Sequence, residues 1–325
     1  MTSAAAANLF AGGRFLVAPI CLIAAVACFA VMLPGFMTAS NAVNILIQMW
    51  VLALLAVGEA FPMVTRGFDI SVGTVAALSG TVAAIATNAF GIGALPIALL
   101  IGLACGLVNG LVIGRFGVQP IVATLGMLIG ARGVAFLITD GGLAVPMSSA
   151  DTATWLAYEP VAGLPVAVWC AIIAVVIAAF ILNRTVAGRR LVMLGSNPEA
   201  AWLVGIKPWH SSLIAYGLCG LFAGLAGLVM TLRAGTGLPT EGRGMELQAI
   251  AATIIGGVAL SGGVARISTV VIGAAFVQVL FTGLNLLGIS PFLAGVAVGI
   301  VIIGSGLLEY AIRHLLIPLS HKGRI

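Results

Sequence analysis

Between Ile70 and Gly114 the chain reads ISVGTVAALSGTVAAIATNAFGIGALPIALLIGLACGLVNGLVIG, without a single Asp, Glu, Lys or Arg. A helix needs roughly 20 apolar residues to cross the hydrocarbon core of a bilayer, so this stretch holds two crossings. Asn88 to Gly93 supplies the turn-forming residues between them. Working outward, the pattern repeats. Charge-free runs also cover Phe15–Gly58, Phe116–Ala131, Pro160–Asn183, Pro208–Leu232, Leu247–Ala265 and Ile267–Leu308. The first and last of these are again long enough for two crossings, divided at Pro34-Gly35 and Asn41 and at Gly288 to Pro291. None shows the short alternation of a membrane barrel. The chain is 62% hydrophobic and 7% charged, with a mean hydropathy of +1.24, which excludes a soluble domain of this length.

The expectation is an all-α polytopic membrane protein, one transmembrane domain over residues 1–325 with about ten helices. They are placed near Phe15–Leu33, Ala42–Thr65, Ile70–Thr87, Ala94–Gly114, Val118–Ile138, Leu164–Leu182, Trp209–Leu232, Met245–Ala265, Ile267–Leu287 and Pro291–Ala311. The apolar stretch of the first is too long for the core of a signal peptide, so it reads as a permanent span.

Orientation follows from the basic residues. With both termini in the cytoplasm, Arg14, Arg66, Arg115, Arg184, Arg189, Arg190, Lys207, Arg266, Arg313, Lys322 and Arg324 fall inside. Only Arg233 and Arg243 then lie in an outer loop, with Arg132 within a helix, as the positive-inside rule requires. The main outer loop, 139–163, carries Asp140, Asp151 and Glu159 and no Lys or Arg. The net charge of +5 therefore reflects topology. Its basic residues are scattered over loops and offer no nucleic-acid face.

One polar island, about 184–207, interrupts the apolar pattern on the cytoplasmic side. Asn197 suits a helix cap, Pro198 the first helical position, and Glu199 the positive end of the helix dipole; Ala200 and Ala201 follow. Gly205 suits a left-handed stop. The product is a helix of about two turns held at the membrane surface by Trp202 and Leu203. It reads either as an amphipathic connector or as an element on which a partner pushes.

Polar groups at membrane depth are the other candidates, because an unpaired one is expensive in lipid. Glu59 lies three residues before Pro62, which frees backbone carbonyls and can break the helix. Asp69 and Ser71 are placed to cap the third helix. Arg132 is expected to reach the outer headgroups through its long stem, or to line a path. Gln48, Asn109, Gln248, Gln278 and Asn285 can bond a sugar-like solute or a neighbouring helix. Gly102 and Gly106, Gly220 and Gly224, and Gly295 and Gly299 are each four apart, a spacing for close helix packing. Ala77-Leu78-Ser79-Gly80 echoes Ala259-Leu260-Ser261-Gly262, both read as lying in Gly-rich helices of opposite direction, as in an inverted repeat.

Other chemistry has no basis in the sequence. Cys21, Cys28, Cys105, Cys170 and Cys219 lie in apolar spans without metal-type pairing, and His210, His314 and His321 sit at membrane edges. There is no His-x-x-Glu-His, no Gly-x-Ser-x-Gly elbow and no phosphate-cradling loop that ends in Gly-Lys. No catalytic residue, metal or cofactor is expected.

Four blocks carry a family resemblance. Gly67-Phe68-Asp69-Ile70-Ser71-Val72-Gly73 resembles the Gly-Ile-Asp-Leu-Ser-Val-Gly signature of sugar ABC importer permeases of the ribose/xylose/galactose type, within the branched-chain permease superfamily. Gln119 to Gly126 with Ala131-Arg132-Gly133 looks like the next block. Asn197 to Ala201 with Gly205-Ile206 resembles the cytoplasmic coupling segment, and Gly256-Gly257 with Leu260 to Gly263 the fourth block. The blocks run in family order between about Asn41 and Tyr310; Phe68 replaces a common Ile.

The resemblance implies an inverted-repeat permease fold in a bacterial inner membrane. It also implies a second permease subunit, as homodimer or related heterodimer, two cytoplasmic ABC ATPase domains and a periplasmic solute-binding protein. Asn197, Pro198, Glu199, Ala200, Ala201 and Gly205 would then couple to the ATPase. Alternating access would be driven by ATP in that partner, with the acidic outer loop as a docking surface. Two other readings stand beside it. A branched-chain amino acid permease shares the architecture but more typically shows an Asn-Phe-Ala-His-Gly block where this chain has Asp69 to Gly73. An ion-coupled secondary transporter would rest on Glu59 alone.

Overall fold

The computed structural model describes residues 3–290, 293–300 and 303–304. The chain is almost wholly helical. Its elements are α1 (Ser3–Met32), α2 (Ala39–Val64), α3 (Val72–Phe90), α4 (Ile97–Phe116), α5 (Pro120–Leu137), β1 (Val145–Pro146) and α6 (Ala150–Tyr158). There follow β2 (Pro160–Val161), β3 (Leu164–Pro165), α7 (Val166–Arg184), α8 (Val186–Ser196), α9 (Pro198–Leu203), α10 (Pro208–Ala234), β4 (Thr236–Gly237), α11 (Met245–Ile255) and α12 (Ile267–Leu286). Eight helical segments among the described residues are long and apolar enough to cross a membrane. They correspond to the first seven predicted spans and the ninth. Of the tenth, Pro291–Ala311, residues 293–300 and 303–304 are helical and the rest lies outside the described residues.

The eighth predicted span is corrected. Met245–Ala265 does not form one helix, because α11 stops at Ile255. Gly256-Gly257 turns the chain, and Gly257, Gly262 and Gly263 all take positive φ, which glycine adopts without steric cost. At Gly256 there is no room for a side chain, since a Cβ would press on the backbone of Thr269 and Val270 in α12. The charge-free run concealed this, since hydropathy does not register backbone turns. The tetrapeptide echo fails for the same reason: Ala77–Gly80 is helical within α3, whereas Ala259–Gly262 lies in the irregular stretch after α11.

The core is built on α2, whose residues from Val51 to Val64 are all buried. Around it pack α10, α12, α11 and α7, and the main apolar cluster joins them and α3 through Leu52, Phe61, Val75, Ala171, Tyr216, Ile255 and Val270. The glycine pairs of α4 and α10 meet. A Cβ on Gly102 would strike Gly220 and Gly224, and one on Gly106 would strike Tyr216 and Gly220. Small residues let these backbones touch, as in membrane helix pairs generally. The third pair, Gly295 and Gly299, has nothing within 4 Å of either position. The outer loop is more ordered than its sequence suggested. It contains α6, and β1 pairs with β4, Val145 opposite Gly237. Asn88 holds it, donating to the Pro146 carbonyl at 2.8 Å and accepting from the Ser148 amide at 2.6 Å.

Candidate functional site

Four of the candidate residues come together. Glu59 of α2, Asp69 and Ser71 of the connection to α3, and Asn109 of α4 are each at most 2% exposed. The Asp69 amide donates to Glu59 Oε1 at 3.0 Å. The Asp69 carboxylate accepts from the Ser71 amide at 2.9 Å and from the Ser71 hydroxyl, both on Oδ1. Asn109 Nδ2 reaches Asp69 Oδ2 and Ser71 Oγ, each at 3.2 Å. Cys219 Sγ of α10 lies 3.8 Å from Glu59 Oε2, and the Tyr216 hydroxyl donates to the Phe68 carbonyl at 3.4 Å.

Sequence reading placed Asp69 and Ser71 as caps of α3. Ser71 does sit at the cap position, but its side chain makes no cap bond to the helix. Its hydroxyl turns back to Asp69 instead. A buried carboxylate demands donors, and here the nearest ones supply them. The whole group folds the Arg66–Ser71 connection inward and ties it to α2, α4 and α10. Pro62 does not break α2 where it stands; the helix runs two residues further, and Pro62 O accepts from the amides of Thr65 and Gly67.

A second feature is the segment from Gly235 to Gly244. After α10 it runs back along α3, with Thr240 and Arg243 exposed. Gly237 abuts Thr81 and Ala84, and Gly242 abuts Gly73. At a rise of ~1.5 Å per residue, Ala84 and Gly73 are about 16 Å apart along α3. The irregular backbone therefore reaches deep into the helical assembly before α11 begins. Such backbone is tolerated at membrane depth only when buried in protein or lining a wet cavity.

Arg132 pins this segment. It donates from Nη1 to the Pro239 carbonyl and to the Glu241 carbonyl at 3.1 Å, and from Nη2 to Thr74 Oγ1 at 3.1 Å. Snorkelling to the headgroups is thereby corrected: the unfilled carbonyls of the irregular segment are nearer and hold the guanidinium inward. Glu246, at the start of α11, accepts from the Gly244 amide at 3.2 Å through Oε1, while its buried Oε2 has no partner. Gln248 is half-buried one position beyond Leu247 on the same helix, outside the Asp69 group's hydrogen bonds. Asn285 is exposed at the end of α12 and joins neither group. Gln278 donates to Gln48 Oε1 at 3.1 Å and so bonds α12 to α2.

The polar island folds as two helices. Thr185 caps α8, accepting from the Gly188 amide at 3.1 Å. Asn197 caps α9, accepting from the Ala200 amide at 3.1 Å, with Pro198 in the first turn. Gly205 ends the motif at φ +81°. Ala201 is buried against Leu194 and Ile206. Trp202, Leu203 and Val204 stand outward, 69%, 77% and 65% exposed, although this is the least apolar part of the chain. Sequence reading missed Arg66, Thr74, Tyr216 and Cys219. The last two were hidden in an apolar run, and nothing local marks their neighbours across the bundle.

Comparison with known proteins agrees with this construction. Residues 41–306 match the family described as "Branched-chain amino acid transport system / permease component". The ribose import permease protein RbsC of Escherichia coli strain K12 is 38% identical over 299 residues, covering 89% of this chain and 92% of that protein. The ribose import permease protein RbsC of Bacillus subtilis is 35% identical over 278 residues, 85% and 86% of the two chains. The L-arabinose transport system permease protein AraH of Escherichia coli strain K12 is 32% identical over 292 residues, 87% and 86%. No solved structure matches. With the match spanning most of its length, this multi-pass membrane chain belongs to the branched-chain amino acid transport system / permease component family.

Proposed function

We propose that the chain is the permease subunit of an ATP-driven ABC importer and forms the path for a sugar or sugar-like solute delivered by a periplasmic binding protein. The observation that carries this reading is α9. It is a capped, rigid helix outside the long spans, and its apolar residues Trp202, Leu203 and Val204 face away from the fold. Exposed apolar residues on a capped element outside the spans suit a partner or the membrane surface, and the likeness to importer permeases favours a partner. Two ATPase subunits and a second permease, bound in an inner membrane with this chain's termini in the cytoplasm, complete the assembly. The ATPase supplies the hydrolysis. Asn197, Pro198, Glu199, Ala200, Ala201 and Gly205 shape the docked element. The path runs beside the irregular segment after α10, with Arg132 and Gln248 at its wall.

The sugar class rests on relatives whose names specify ribose import and L-arabinose transport. The test is uptake into proteoliposomes holding the chain, its ATPase and its binding protein, with labelled ribose, arabinose, allose and leucine supplied in turn. ATP-dependent uptake of one of the sugars is expected. Leucine uptake would move the solute to the amino acid class, and uptake driven by an ion gradient without the ATPase would overturn the importer reading.

A further inference from the structure

Arg66 occupies a left-handed backbone position, φ +69°, just beyond the end of α2. Its amide bonds the Met63 carbonyl at 3.0 Å and the next amide, of Gly67, bonds the Pro62 carbonyl at 2.9 Å, so it closes the helix as a glycine usually does. A residue with a Cβ is disfavoured in that conformation. The turn alone gives no reason for arginine. Its side chain does: Nε donates to the Gly195 carbonyl at 2.7 Å and Nη2 to the Ser196 carbonyl at 3.0 Å. These are carbonyls of the last turn of α8, at the negative end of its dipole, where a guanidinium bonds best. Ser196 is followed at once by Asn197, the cap of α9.

The junction is close-packed on its other sides. The Gly263 amide donates to the Val64 carbonyl at 2.8 Å. A Cβ on Gly195 would collide with that same carbonyl, and one on Gly263 with Ser196. On the far side of Arg66 the chain runs through Gly67 and Phe68 into Asp69, whose amide and carboxylate hold Glu59 of α2 and Asn109 of α4. A Cβ on Gly67 would meet the Tyr216 hydroxyl of α10. A short, bonded route therefore joins α9 to α2, α4 and α10, and the Arg66 side chain is its link to the α8–α9 joint.

We propose that Arg66 is a positioning residue that transmits displacement of the α8–α9 joint to the Glu59–Asp69–Asn109 group. It acts as a tie between the coupling helix and the buried connection before α3. The inference rests on the importer reading above. When a docked partner moves α9, the two carbonyls of α8 pull the guanidinium, and the 66–71 connection moves with it.

The test uses the assembled transporter in proteoliposomes with labelled ribose, arabinose and allose as probes. Arg66→Gly removes the tie while relieving the left-handed strain, so the turn itself is kept. Expected is a roughly tenfold fall in sugar imported per ATP hydrolysed, the order of effect for one typical net hydrogen bond. ATPase co-purification and melting temperature should match the unaltered protein, and Arg66→Lys should recover part of the ratio. A ratio within about twofold of the unaltered protein in Arg66→Gly overturns the inference. So does a fall accompanied by lost ATPase binding and lost melting temperature that Arg66→Lys does not recover, since Arg66 would then only hold the fold. The unaltered arm reads the function separately: no ATP-driven uptake there refutes the importer reading and takes this inference with it.

Discussion

At the residue scale, the informative groups are those that satisfy buried polar demand. Glu59 is enclosed completely, and its Oε1 is the acceptor for the Asp69 amide. Glu59→Gln keeps a carbonyl in that place; Glu59→Ala leaves the amide buried without a partner, a cost of about 1–3 kcal/mol. The expected outcome is a lower melting temperature in detergent for Glu59→Ala than for Glu59→Gln, read by fluorescence-detected size exclusion after heating. Equal melting of both with the unaltered protein would show that the hydrogen bond carries no stability. The sequence singled out Glu59, Asp69, Ser71 and Asn109 one at a time, as polar residues within apolar runs. It did not reveal that they share one hydrogen-bonded group, because Asn109 lies forty positions from Asp69 and only the packing of α4 brings them together. The same limit misplaced Arg132. Local reasoning offers headgroups as its natural partners, while the carbonyls of Pro239 and Glu241 come from a segment more than a hundred residues away.

At the element scale, two helix features yield opposite expectations for glycine. Gly102 and Gly220 press backbone to backbone between α4 and α10, so Gly102→Val or Gly220→Val must separate the helices. Overpacking of this kind costs about 1–3 kcal/mol, and here no flexible side chain can yield. Gly126 of α5 has open space about it and is exposed, so Gly126→Ala should leave expression and melting unchanged, or raise helix stability slightly. Folded yield of the three variants after detergent extraction checks the contrast; equal yields would contradict the close packing of α4 on α10. For α9, Asn197→Ala removes a cap worth about 1 kcal/mol from a helix of only six residues. The expected result is reduced ATPase co-purification with normal membrane insertion. Unimpaired binding would show that α9 need not be preformed to dock. The glycine pairs of α4 and α10 and the α9 boundaries were legible in the sequence, since each rests on spacing or capping within a few residues, although the same spacing at Gly295 and Gly299 meets no neighbour. The early end of α11 was not. There Gly257 leaves the helix at φ +85°, a backbone turn that a hydropathy run does not record.

At the scale of the whole molecule, the arrangement of spans makes orientation testable. The ends of α2 and α8 meet through Arg66, and Arg115 ends α4, so these termini, with α9, lie on one side. The acidic loop with α6, joined to the end of α3 by Asn88, lies on the other. The basic residues concentrate on the first side, which the positive-inside rule assigns to the cytoplasm. Single cysteines at Glu199 and at Asp151, both exposed positions, placed in a chain stripped of its native cysteines, test the assignment. A membrane-impermeant maleimide applied to intact spheroplasts should label Asp151→Cys and spare Glu199→Cys until the membrane is opened. The reverse pattern would invert the chain, and with it the side on which α9 meets a partner. The reverse pattern would also count against an ATP-driven class, because an ATPase in the cytoplasm can engage α9 only in the predicted orientation. Glu199→Lys then follows as the functional counterpart. It puts a positive charge at the positive end of the short α9 dipole, on the exposed face beside Trp202. In the expected orientation it should lower ATP-driven sugar uptake several-fold while leaving insertion intact, an effect of about 1 kcal/mol on docking. Unchanged uptake in an assembly whose topology has been confirmed would leave the 184–207 segment as a plain connector and move the coupling contact elsewhere on that face.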